Sequence, residues 1–417
     1  MGERLLLGKI EELLTRGIVN IIPGKIELES ALRSGKKLNV YLGIDPTATR
    51  IHLGHAVNLR KLQAFIELGH HVTFLIGDFT ARVGDNSDKE SERPLLTKQE
   101  IEANFQTYKE QAEKILDFSK AELHYNSEWL SPLSFADVLQ LCQQFSLNDY
   151  LSREIMKKKM ETGVSIRLDE VLYPIMQGYD SFHMDTDVQI GAADQTFNMQ
   201  AGRVLQKRLH NKESFILVND YLIGTDGRKM SKSWGNAVWL SDSPEEMFGK
   251  IMSLKDELIE QYFILGTSTD LKEIGAVRDR LIKGENPMVL KKELACAVVT
   301  EFHGKIAAHD AQEQFEKQFQ EKTTQGVNIP EVCFDKHERG LYLRDEFLVK
   351  MGLASSKSEA RIFILKGGTI SSAAEKLTGP NNSVSIRLAT FPDDTHYPQD
   401  DGDVFKVGRK IRKVRLK

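Results

Sequence analysis

Short apolar runs alternate with segments of helical periodicity along the first half of the chain. A β-rich run at 38–44 is followed by an Asp-Pro pair, and proline stops a strand. Residues 53–68 place apolar side chains at helical spacing, and Gly69 follows them as a C-cap residue. A second buried strand is predicted at 71–78. This order of strand, helix and strand is typical of a parallel α/β sheet.

The same alternation continues toward the middle of the chain. The pattern predicts a polar helix, a third strand, a mostly helical region and two more strands, at 97–118, 121–126, 134–182, 188–190 and 214–220 respectively. A helical segment separates the last two strands, so they extend the α/β order.

The character of the chain changes after the last of these strands. Residues 241–321 have helical periodicity and few strand signals, and Pro244 stands just inside a helix start. Residues 322–338 contain Gly and Pro and are predicted to be a linker. Residues 339–417 predict two short helices and then strands, and no acidic residue follows Asp403, so the basic tail is expected to lack acidic partners. Three parts are therefore expected: α/β, all-helical, and a small basic α+β module.

Composition narrows the class of protein only a little. The chain has 417 residues, of which 41% are apolar and 28% are charged, and its formal net charge is −4. These values are ordinary for a globular protein, so any basic surface has to be local. No apolar run is long enough to span a membrane, and the N-terminal helical pattern lacks the features of a signal peptide. The three cysteines are far apart and predict neither disulfides nor a zinc site, which favours a reducing cytoplasm.

The first chemical motif is IHLGH, at the predicted start of the helix that follows the first strand. His52 and His55 are three residues apart, so both imidazoles point toward the helix N-terminus, which can hold phosphate. Gly54 lets a ligand approach the backbone. The alternative is two surface histidines beside a packing glycine. A zinc site is not expected, because no third and fourth ligand lie nearby in the sequence.

The second motif is the segment TDGRKMSKSWGN at 225–236, whose composition predicts a loop. Arg228, Lys229 and Lys232 are crowded into five positions. Two lysines three residues apart on a loop can close over a polyphosphate and neutralise its developing charge. The alternative is a solvated charged loop. The pairing with HLGH in one α/β domain makes a chance match a poor explanation.

The two motifs resemble the two signatures of class I aminoacyl-tRNA synthetases, and their surroundings narrow the resemblance to the tyrosyl-tRNA synthetase family. The segments similar to that family are, in order, YLGIDPTATRIHLGH, LIGDFTARVGDNSDKESE, LYPIMQGYDSF, VQIGAADQTFN and KMSKS. The C-terminal module resembles the RNA-binding domain shared with ribosomal protein S-four, so the resemblance covers the whole chain. Tryptophanyl-tRNA synthetases, the sibling family, usually lack the GIDPTA pattern and this module.

The resemblance implies roles for individual residues. Tyrosine binding is implied for Tyr41 and Asp180 at the phenol hydroxyl, Asp85, Tyr173 and Gln177 at the ammonium group, and Gln195 at the carboxylate end. ATP binding is implied for Gly43, Asp45, Gly54, Asn58, Asp194, Met230 and Ser231, with Asp45 also near the ammonium group and Asp194 at the ribose. Catalytic contacts to ATP and pyrophosphate are implied for Thr47, His52, His55, Lys229 and Lys232. Contacts to tRNA are implied for Arg344, Lys357, Arg361, Arg409 and Lys410.

Spacing supports one of these assignments independently. Tyr173, Gln177 and Asp180 stand at i, i+4 and i+7, so they line one face of a helix. A solvated face is the alternative, but residues 174–176 between them are apolar, which favours the wall of a polar pocket.

The fold implied is a Rossmann-type catalytic domain at 1–236 with a helical insertion near 130–165, a helical anticodon-binding domain at 237–321, the linker at 322–338 and the RNA-binding domain at 339–417. The implied reaction activates L-tyrosine with ATP, accompanied by Mg²⁺, and transfers the tyrosyl group to tRNA(Tyr). A tightly bound protein metal is not expected. The family also implies a homodimer formed through the insertion.

Three rival interpretations remain open at this point. One is another class I synthetase, such as a tryptophanyl enzyme. The second is a free-standing nucleotidylyltransferase, which would not need a helical domain and an RNA-binding module. The third is an RNA-binding paralogue that has lost catalysis, against which the intact histidines, lysines and pocket residues argue.

Overall fold

The computed structural model describes residues 3–47, 49–85, 97–230, 234–317, 331–338, 341–365, 369–372, 376–378, 384–386, 389–390, 404–407 and 410–417. The chain divides into two compact units. The first combines residues 1–243 with 250–304, and the second combines 244–249 with 305–417.

A six-stranded sheet forms the centre of the first unit. Its strands are β1 Ile18–Ile22, β2 Asn39–Ile44, β3 His71–Ile76, β4 Glu122–Tyr125, β5 Val188–Ala192 and β6 Phe215–Asn219. Their order across the sheet is β1-β6-β5-β2-β3-β4, and every neighbouring pair is parallel except β1 with β6. The five strands predicted from the sequence are confirmed. The antiparallel edge strand β1 was not predicted.

Helices connect the strands. In the first two thirds of the chain they are α1 Glu3–Thr15, α2 Lys25–Arg33, α3 Leu53–Glu67, α4 Lys98–Ala112, α5 Ser127–Leu130, α6 Phe135–Cys142, α7 Leu147–Leu151, α8 Glu154–Glu161, α9 Leu168–His183 and α10 Thr196–His210. The predicted helix at 53–68 is confirmed as α3. It ends as expected, because Gly69 adopts a φ of +83° that favours glycine and His70 N bonds back to Phe65 O.

Chain order and strand order together define where the sheet reverses direction. The chain runs from β2 through β3 to β4 on one side, and then returns to β5 and β6 on the other. The reversal falls between β2 and β5, whose carboxyl ends lie side by side. In open α/β sheets ligands bind in the crevice at such a reversal.

The helical part of the chain continues with α11 Pro244–Met252, α12 Ile259–Gly266, α13 Leu271–Ile282, α14 Pro287–His303 and α15 Lys305–Phe315. Two arginines hold the end of α12 within the first unit. Arg16 and Arg60 donate to six main-chain carbonyls there, those of Phe263, Ile264, Leu265, Gly266, Thr267 and Thr269. Cations at a helix carboxyl end satisfy otherwise unpaired carbonyls. Arg60 lies on α3, so the helix that begins with the HLGH motif is joined to α12.

From residue 331 onward, the described part of the second unit consists of two short α-helices and several strands. They are β7 Glu331–Phe334, α16 Arg344–Lys350, α17 Lys357–Leu365, β8 Thr369–Ser372, β9 Lys376–Thr378, β10 Val384–Ile386, β11 Ala389–Thr390, β12 Val404–Val407 and β13 Lys410–Leu416. A five-stranded sheet has the order β11-β8-β12-β13-β7, and β9 pairs with β10. Phe334, Phe347 and Phe405 are buried together in its core. The two predicted helices are confirmed.

One predicted boundary needs correction. The linker was expected at 322–338, but Glu331–Phe334 form β7, which pairs in parallel with β13. Phe334 is buried in the core of the unit, and that burial explains why this short apolar segment is ordered as a strand. The other domain boundaries stay predictions. Among the described residues, no helix is both long and apolar enough to cross a membrane.

Candidate active site

The predicted site residues lie where the sheet reverses direction. Asp45 follows β2 directly, and Asp194 follows β5. Helix α3 begins at Leu53, just beyond β2, so its N-terminus faces the same edge. The carboxyl ends of neighbouring parallel strands thus bring together segments that are far apart in the sequence.

The predicted phenol-binding residues are buried. The Tyr41 hydroxyl donates to Gln189 Oε1 at 3.2 Å. Burial raises the pKa of the Tyr41 hydroxyl well above its usual value, and the nearby Asp180 carboxylate raises it further. Tyr41 therefore stays protonated and neutral at physiological pH, and can act as a hydrogen-bond partner for a second hydroxyl.

Asp180 is a carboxylate with only 3% of its surface exposed. Trp129 Nε1 donates to its Oδ1 at 2.7 Å, and Asn126 Nδ2 donates to its Oδ2 at 3.2 Å. Burial raises the pKa of Asp180 to about 7 in spite of these two donors, which lower it. Asp45 and Asp78 add smaller contributions that raise this pKa. The site therefore holds a polar acceptor in a largely dry environment.

A continuous set of hydrogen bonds connects Asp180 with Asp45. The Asn126 amide that donates to Asp180 also donates to the Thr80 hydroxyl at 3.0 Å. Thr80 in turn donates to Asp45 Oδ1 at 2.7 Å, and the Tyr173 hydroxyl donates to Asp45 Oδ2 at 2.8 Å. Shared partners of this kind fix both carboxylates relative to each other. The predicted phenol end and ammonium end of the pocket are thus parts of one network.

A second carboxylate stands near the predicted ammonium end. Gln195 Nε2 donates to Asp85 Oδ2 at 2.6 Å, and Asn198 Nδ2 donates to Gln195 Oε1 at 3.1 Å. The face of α9 between Tyr173 and Asp180 carries Gln177, which is half-buried. The spacing of Tyr173, Gln177 and Asp180 predicted that they line one face of this helix. Two of them, Tyr173 and Asp180, make hydrogen bonds within the site.

The two motif histidines lie against each other. Their ring centroids are 3.9 Å apart, and His52 N donates to His55 Nδ1 at 3.3 Å. Burial lowers the pKa of His55 to about 4. Burial first, then the charge that His55 would carry and Lys229, hold the pKa of His52 well below its usual value. Both imidazoles are therefore neutral at pH 7, and they can bind a nucleotide through hydrogen bonds but not as cations.

The HLGH motif leaves little free space around itself. A Cβ on Gly54 would lie 2.9 Å from His52 Nδ1, which is closer than carbon and nitrogen atoms pack. His52 Nδ1 is buried and has no hydrogen-bond partner among the described residues. A buried nitrogen without a partner is costly, so a ligand hydrogen bond would relieve it.

The segment after the second motif pairs with the first motif. Leu53 N donates to Val238 O, and Leu240 N donates to Ile51 O, each at 2.9 Å. His52 and Trp239 form an antiparallel bridge between these bonds. Residues 237–240, which form the return arm of the 225–236 loop, are therefore fixed beside HLGH.

Asp242 strengthens this junction. It is buried, and it accepts hydrogen bonds from Trp239 N at 2.8 Å, Lys250 Nζ at 2.6 Å and Arg50 Nη2 at 3.0 Å. The Arg50 guanidinium also lies 4.8 Å from the centroid of the Trp239 ring. A buried carboxylate with three donors is well compensated, so it can hold both motifs in one arrangement.

The structure describes Lys229 and Met230 among the loop residues that are predicted to bind ATP and pyrophosphate. Lys229 Nζ lies 3.4 Å from Asp194 Oδ2, so a predicted pyrophosphate contact and the predicted ribose contact are neighbours. Met230 is buried. Ser231 and Lys232 lie outside the described residues.

Three other predicted nucleotide contacts have simple surroundings. Asn58 Oδ1 accepts a bond of 2.7 Å from Asn219 Nδ2 at the end of β6. Thr47 N donates to Asp45 O at 2.7 Å. Gly43 is exposed on β2.

The residues predicted to contact tRNA belong to the second unit, whereas the site residues described above belong to the first. Lys357 Nζ pairs with Glu346 at 2.6 Å, and Arg361 Nε pairs with Asp345 at 2.7 Å. Arg409 and the side chains of Arg344 and Lys410 lie outside what the structure describes. The expectation that the basic tail lacks acidic partners is wrong for Lys413, which lies 3.0 Å from Glu331. The sequence missed this pair because Glu331 reaches the tail through β7.

Sequence reasoning did not identify the residues that support the phenol end. Gln189 and Thr80 lie in segments that resemble the family but had no role assigned to them, and Asn126 and Trp129 lie outside those segments, yet each bonds to Tyr41, Asp180 or Asp45. The available signal was chemical, since a tryptophan in the interior needs an acceptor for its N–H. Among the described residues, no group of three or more His, Cys, Asp and Glu side chains could hold a metal ion.

The chain was compared with known proteins. The family model for class I tRNA synthetases (W and Y) matches residues 33–320. A tyrosine–tRNA ligase of Photobacterium profundum is 42% identical over 416 residues, covering 99% of this chain and all of that protein. A tyrosine–tRNA ligase of Thermotoga maritima is 42% identical over 360 residues, covering 86% of this chain and 88% of that one.

Solved structures show the same fold. A C-terminally truncated mitochondrial tyrosyl-tRNA synthetase of Aspergillus nidulans superposes with a TM-score of 0.62. The two sequences are 23% identical, and the match covers 75% of this chain and 94% of that one. At this identity the likeness concerns the fold alone.

Proposed function

The chain belongs to the family of class I tRNA synthetases (W and Y), and from that premise we propose that it joins L-tyrosine to tRNA(Tyr) in an ATP-dependent ligase reaction. The observation that carries the choice of tyrosine is the buried pair of Tyr41 and Asp180 at the closed end of the pocket. A phenylalanine ring offers no hydroxyl to this pair, and an indole offers one N–H donor but no oxygen that could accept a bond from Tyr41. Relatives of about 40% identity over most of the chain are named tyrosine–tRNA ligases, which agrees with this choice.

The tyrosine substrate would lie between the two carboxylate groups of the network. Its phenol hydroxyl would donate to Asp180 and meet the Tyr41 hydroxyl. Its ammonium group would lie near Asp45, Asp85 and Tyr173, where two carboxylates balance its charge. Gln177 would complete the polar wall at the ammonium group, and Gln195 would orient the carboxylate. This arrangement fixes the amino acid at both ends before chemistry begins.

Adenylate formation needs no general base, because the tyrosine carboxylate is already an anion. One carboxylate oxygen attacks the α-phosphorus of ATP, and the bond from that phosphorus to the bridging oxygen of pyrophosphate breaks. The protein stabilises the charge that develops on pyrophosphate. Lys229 and Lys232 would supply cations, while Thr47 and neutral His52 and His55 would hydrogen-bond the phosphates.

The nucleotide would bind along the carboxyl edge of the sheet. Asp194 would accept hydrogen bonds from the ribose, and Asn58 would contact the nucleoside. Gly43, Gly54, Met230 and Ser231 would line the same path, where small or main-chain groups permit close approach. Mg²⁺ would enter bound to ATP as part of the substrate. The adenylate is then attacked by the terminal ribose hydroxyl of tRNA, which releases AMP.

Binding of tRNA would use the parts that follow residue 236. A helical anticodon-binding domain at 237–321 and an RNA-binding domain that ends the chain are proposed from the resemblance. Lys357 and Arg361 are exposed on α17, and of their acidic partners Glu346 is 37% exposed while Asp345 is only 13% exposed, so the pair of Lys357 is the more exposed one. Exposed ion pairs are weak, so exchange of a carboxylate for an RNA phosphate is inexpensive. Arg344, Arg409 and Lys410 are proposed to extend this basic surface.

A homodimer in the cytoplasm is proposed for the assembled enzyme. Within the helical insertion near 130–165 Phe135 is 78% exposed, and Leu168 just beyond it, at the start of α9, is 83% exposed. Leu139 and Leu147 add to the same region. Contiguous exposed apolar surface marks an interaction site, and a second copy of the insertion offers a matching surface.

The test of the proposed function is the exchange of labelled pyrophosphate into ATP with each of the natural amino acids. Tyrosine should support exchange, and tryptophan should not. Charging of tRNA(Tyr) should follow in a second assay. Exchange with tryptophan instead would assign the other specificity of the family, and binding of tRNA without any exchange would indicate the inactive paralogue.

The same assays test the role of the C-terminal unit. Residues 322–417 should be removed together, because β7 pairs with the final strand and a cut at 339 would break that sheet. The shortened chain should keep tyrosine-dependent exchange and lose charging by at least about 100-fold at physiological salt. Normal charging by the shortened chain would contradict the proposed RNA-binding role.

A further inference from the structure

Asn236 lies at the neck of the 225–236 loop and is not among the residues assigned to the site above. Its side chain is 3% exposed. Asn236 Nδ2 donates to Asp226 Oδ1 at 2.8 Å and to Lys229 O at 3.2 Å, and Asn236 O accepts a bond from Thr225 N at 3.0 Å. One residue therefore joins the beginning and the end of the loop that carries the lysines.

Residues 223–229, the outgoing arm of the loop, form a tight turn to which the Asn236 side chain is hydrogen-bonded. Ile223 and Lys229 form an antiparallel bridge, and Gly224 N donates to Arg228 O at 2.7 Å. Asp226, at the turn, accepts Arg228 N at 3.0 Å as well as the Asn236 amide. The Asn236 amide is the first cause of a pKa of about 2 for Asp226, so this carboxylate remains charged.

The space around the amide is full. A Cβ added to Gly224 would overlap the Asn236 side chain, so glycine is required for this close approach. The amide therefore has a single position in which both of its donors are used. A buried and fully used amide acts as a rigid link between the chain segments that it bonds.

The return arm gives this link a fixed base. Two residues beyond Asn236, Val238 bonds to Leu53, and Leu240 bonds to Ile51 beside the histidines. The outgoing arm ends at Lys229, whose ammonium group lies 3.4 Å from Asp194. The Asn236 amide thus connects a segment fixed to HLGH with the main chain of a lysine that reaches the nucleotide edge of the sheet.

We infer that Asn236 is a positioning residue for pyrophosphate departure: it holds the main chain of Lys229 so that the lysine ammonium reaches the phosphates in the transition state. The inference rests on the proposed function and deepens it. Displacement of a catalytic group by about 1 Å costs on the order of 100-fold in rate. Loss of the amide removes a bond to the carbonyl of Lys229 itself, so it shifts the point from which the side chain extends.

The first experiment compares Asn236→Ala with Asn20→Ala, an exposed asparagine on the edge strand β1. In tyrosine-dependent pyrophosphate exchange, Asn236→Ala should lower kcat by about 100-fold. Its Kd for tyrosine, from equilibrium dialysis, should change by less than about threefold, because the bonds of Asn236 given above run to Thr225, Asp226 and Lys229 of the loop. The control should be unchanged in both. Normal kcat for Asn236→Ala, or an equal loss of tyrosine binding, overturns the inference.

The second experiment separates positioning from a merely structural role. If Asn236 acts through Lys229, then in a Lys229→Ala background the further change Asn236→Ala should lower kcat by less than about threefold. Independent contributions would multiply instead, and a multiplied loss in the double variant overturns the inference. Non-additivity of this kind is expected for groups that act as one unit.

Asn236→Asp covers the case in which the alanine variant does not fold. It keeps the volume of the side chain, but its carboxylate cannot donate to Lys229 O and is repelled by Asp226. Its kcat should fall while tyrosine binding persists, and a normal kcat overturns the inference. The unchanged chain reports on the proposed function separately, because absence of exchange there overturns that function and the inference with it.

Discussion

The proposed phenol end and the proposed phosphate end of the candidate active site are built in opposite ways. At the phenol end, Asp180 is buried and receives donors at 2.7 and 3.2 Å. At the phosphate end, Lys229 and Asp194 form a longer contact of 3.4 Å, and 51% and 34% of their side chains are exposed. The first end is buried and already has a donor on each Asp180 oxygen, while the second is partly exposed and charged.

The difference follows from what each end has to recognise. A neutral hydroxyl is distinguished from hydrogen only where water is excluded and an unpaired polar group is costly. A polyphosphate carries several charges and leaves during the reaction, so it needs cations that can follow it. Burial would raise the cost of such cations, and exposure would abolish the selectivity of the phenol end.

The largest expected effect is on the pH dependence of the free energy of unfolding, and it results from the burial of Asp180. Its pKa is about 7 in the fold against an ordinary value of 3.8. Below about pH 4 the Asp180 carboxyl is protonated in both the folded and the unfolded chain. As the pH rises from about 4 to 7, the unfolded chain loses this proton before the folded chain does, so the folded state is progressively destabilised. The free energy of unfolding should therefore fall over this range by up to about 4 kcal/mol from Asp180.

Urea unfolding at pH 5, 6, 7 and 8 measures this effect. Asp180→Asn cannot titrate, so its free energy of unfolding should decline less with pH than that of the unchanged chain. Asp149→Asn, an exposed position on α7, is the matched control and should decline like the unchanged chain. Parallel curves for Asp180→Asn and the unchanged chain would contradict the burial cost.

The open end should behave differently when its cation is removed. Lys229→Ala should lower the rate of adenylate formation by about 100-fold or more, on the order of 3 kcal/mol, because one transition-state contact is lost. Tyrosine affinity should stay nearly unchanged. Lys207→Ala, an exposed lysine on α10, serves as the control. Lys232→Ala should follow the same pattern, and a loss of tyrosine binding equal to the loss of rate would refute the assignment of the loop.

The histidines lie between these two extremes, since both are half-buried and the charge of Lys229 contributes to the lowered pKa of His52. The pKa of His55 is about 4 in the fold and 6.5 in its ordinary state. A lowered histidine pKa means that the unfolded chain binds the proton first, so stability falls as the pH drops from about 6.5 to 4. The contribution is up to about 3 kcal/mol.

His55→Gln should remove this part of the acid sensitivity. Unfolding at pH 4.5 and 7 measures it, with His309→Gln on the exposed face of α15 as control. If His55→Gln leaves the loss of stability in acid unchanged, the burial of His55 is not its cause.

The smallest expected effect tests the selectivity of the closed end. Tyr41→Phe removes one neutral hydrogen bond to the substrate hydroxyl, worth about 1 kcal/mol. The ratio of kcat/KM for tyrosine over phenylalanine should therefore fall by roughly fivefold, mainly through tyrosine. Tyr221→Phe, an exposed tyrosine, is the control. Unchanged discrimination would remove Tyr41 from the pocket.

The sequence predicted the elements better than it predicted their contacts. The strands before Asp45 and after Gly69 follow from local pattern, because period and turn residues are local properties. The bond from Trp129 to Asp180 joins residues 51 positions apart, and no spacing rule reports it. The same holds for Gln189, whose partner Tyr41 is 148 positions away. These contacts are set by how α5, α9 and β5 pack, which only the structure supplies.

One strand went unpredicted and one predicted boundary was wrong, for a related reason. The antiparallel strand β1 pairs with β6, and β7 pairs with β13, so each is a strand only because a distant partner exists. Without that partner, the short segment Glu331–Phe334 beside glycine and proline has the composition of a linker. Strand propensity is a statement about context more than about the local chain.

The pairing of HLGH with the return arm of the loop also sets a waiting time during synthesis. Arg50 and Asp242, which join the two motifs, are 192 positions apart. At ordinary rates of translation, of about 5–20 residues per second, the HLGH segment is made roughly 10–40 s before its partners exist. During that interval Ile51 and Leu53, both fully buried in the finished protein, have no return arm to pair with. The junction between HLGH and the return arm therefore cannot form until the chain has been made as far as Asp242.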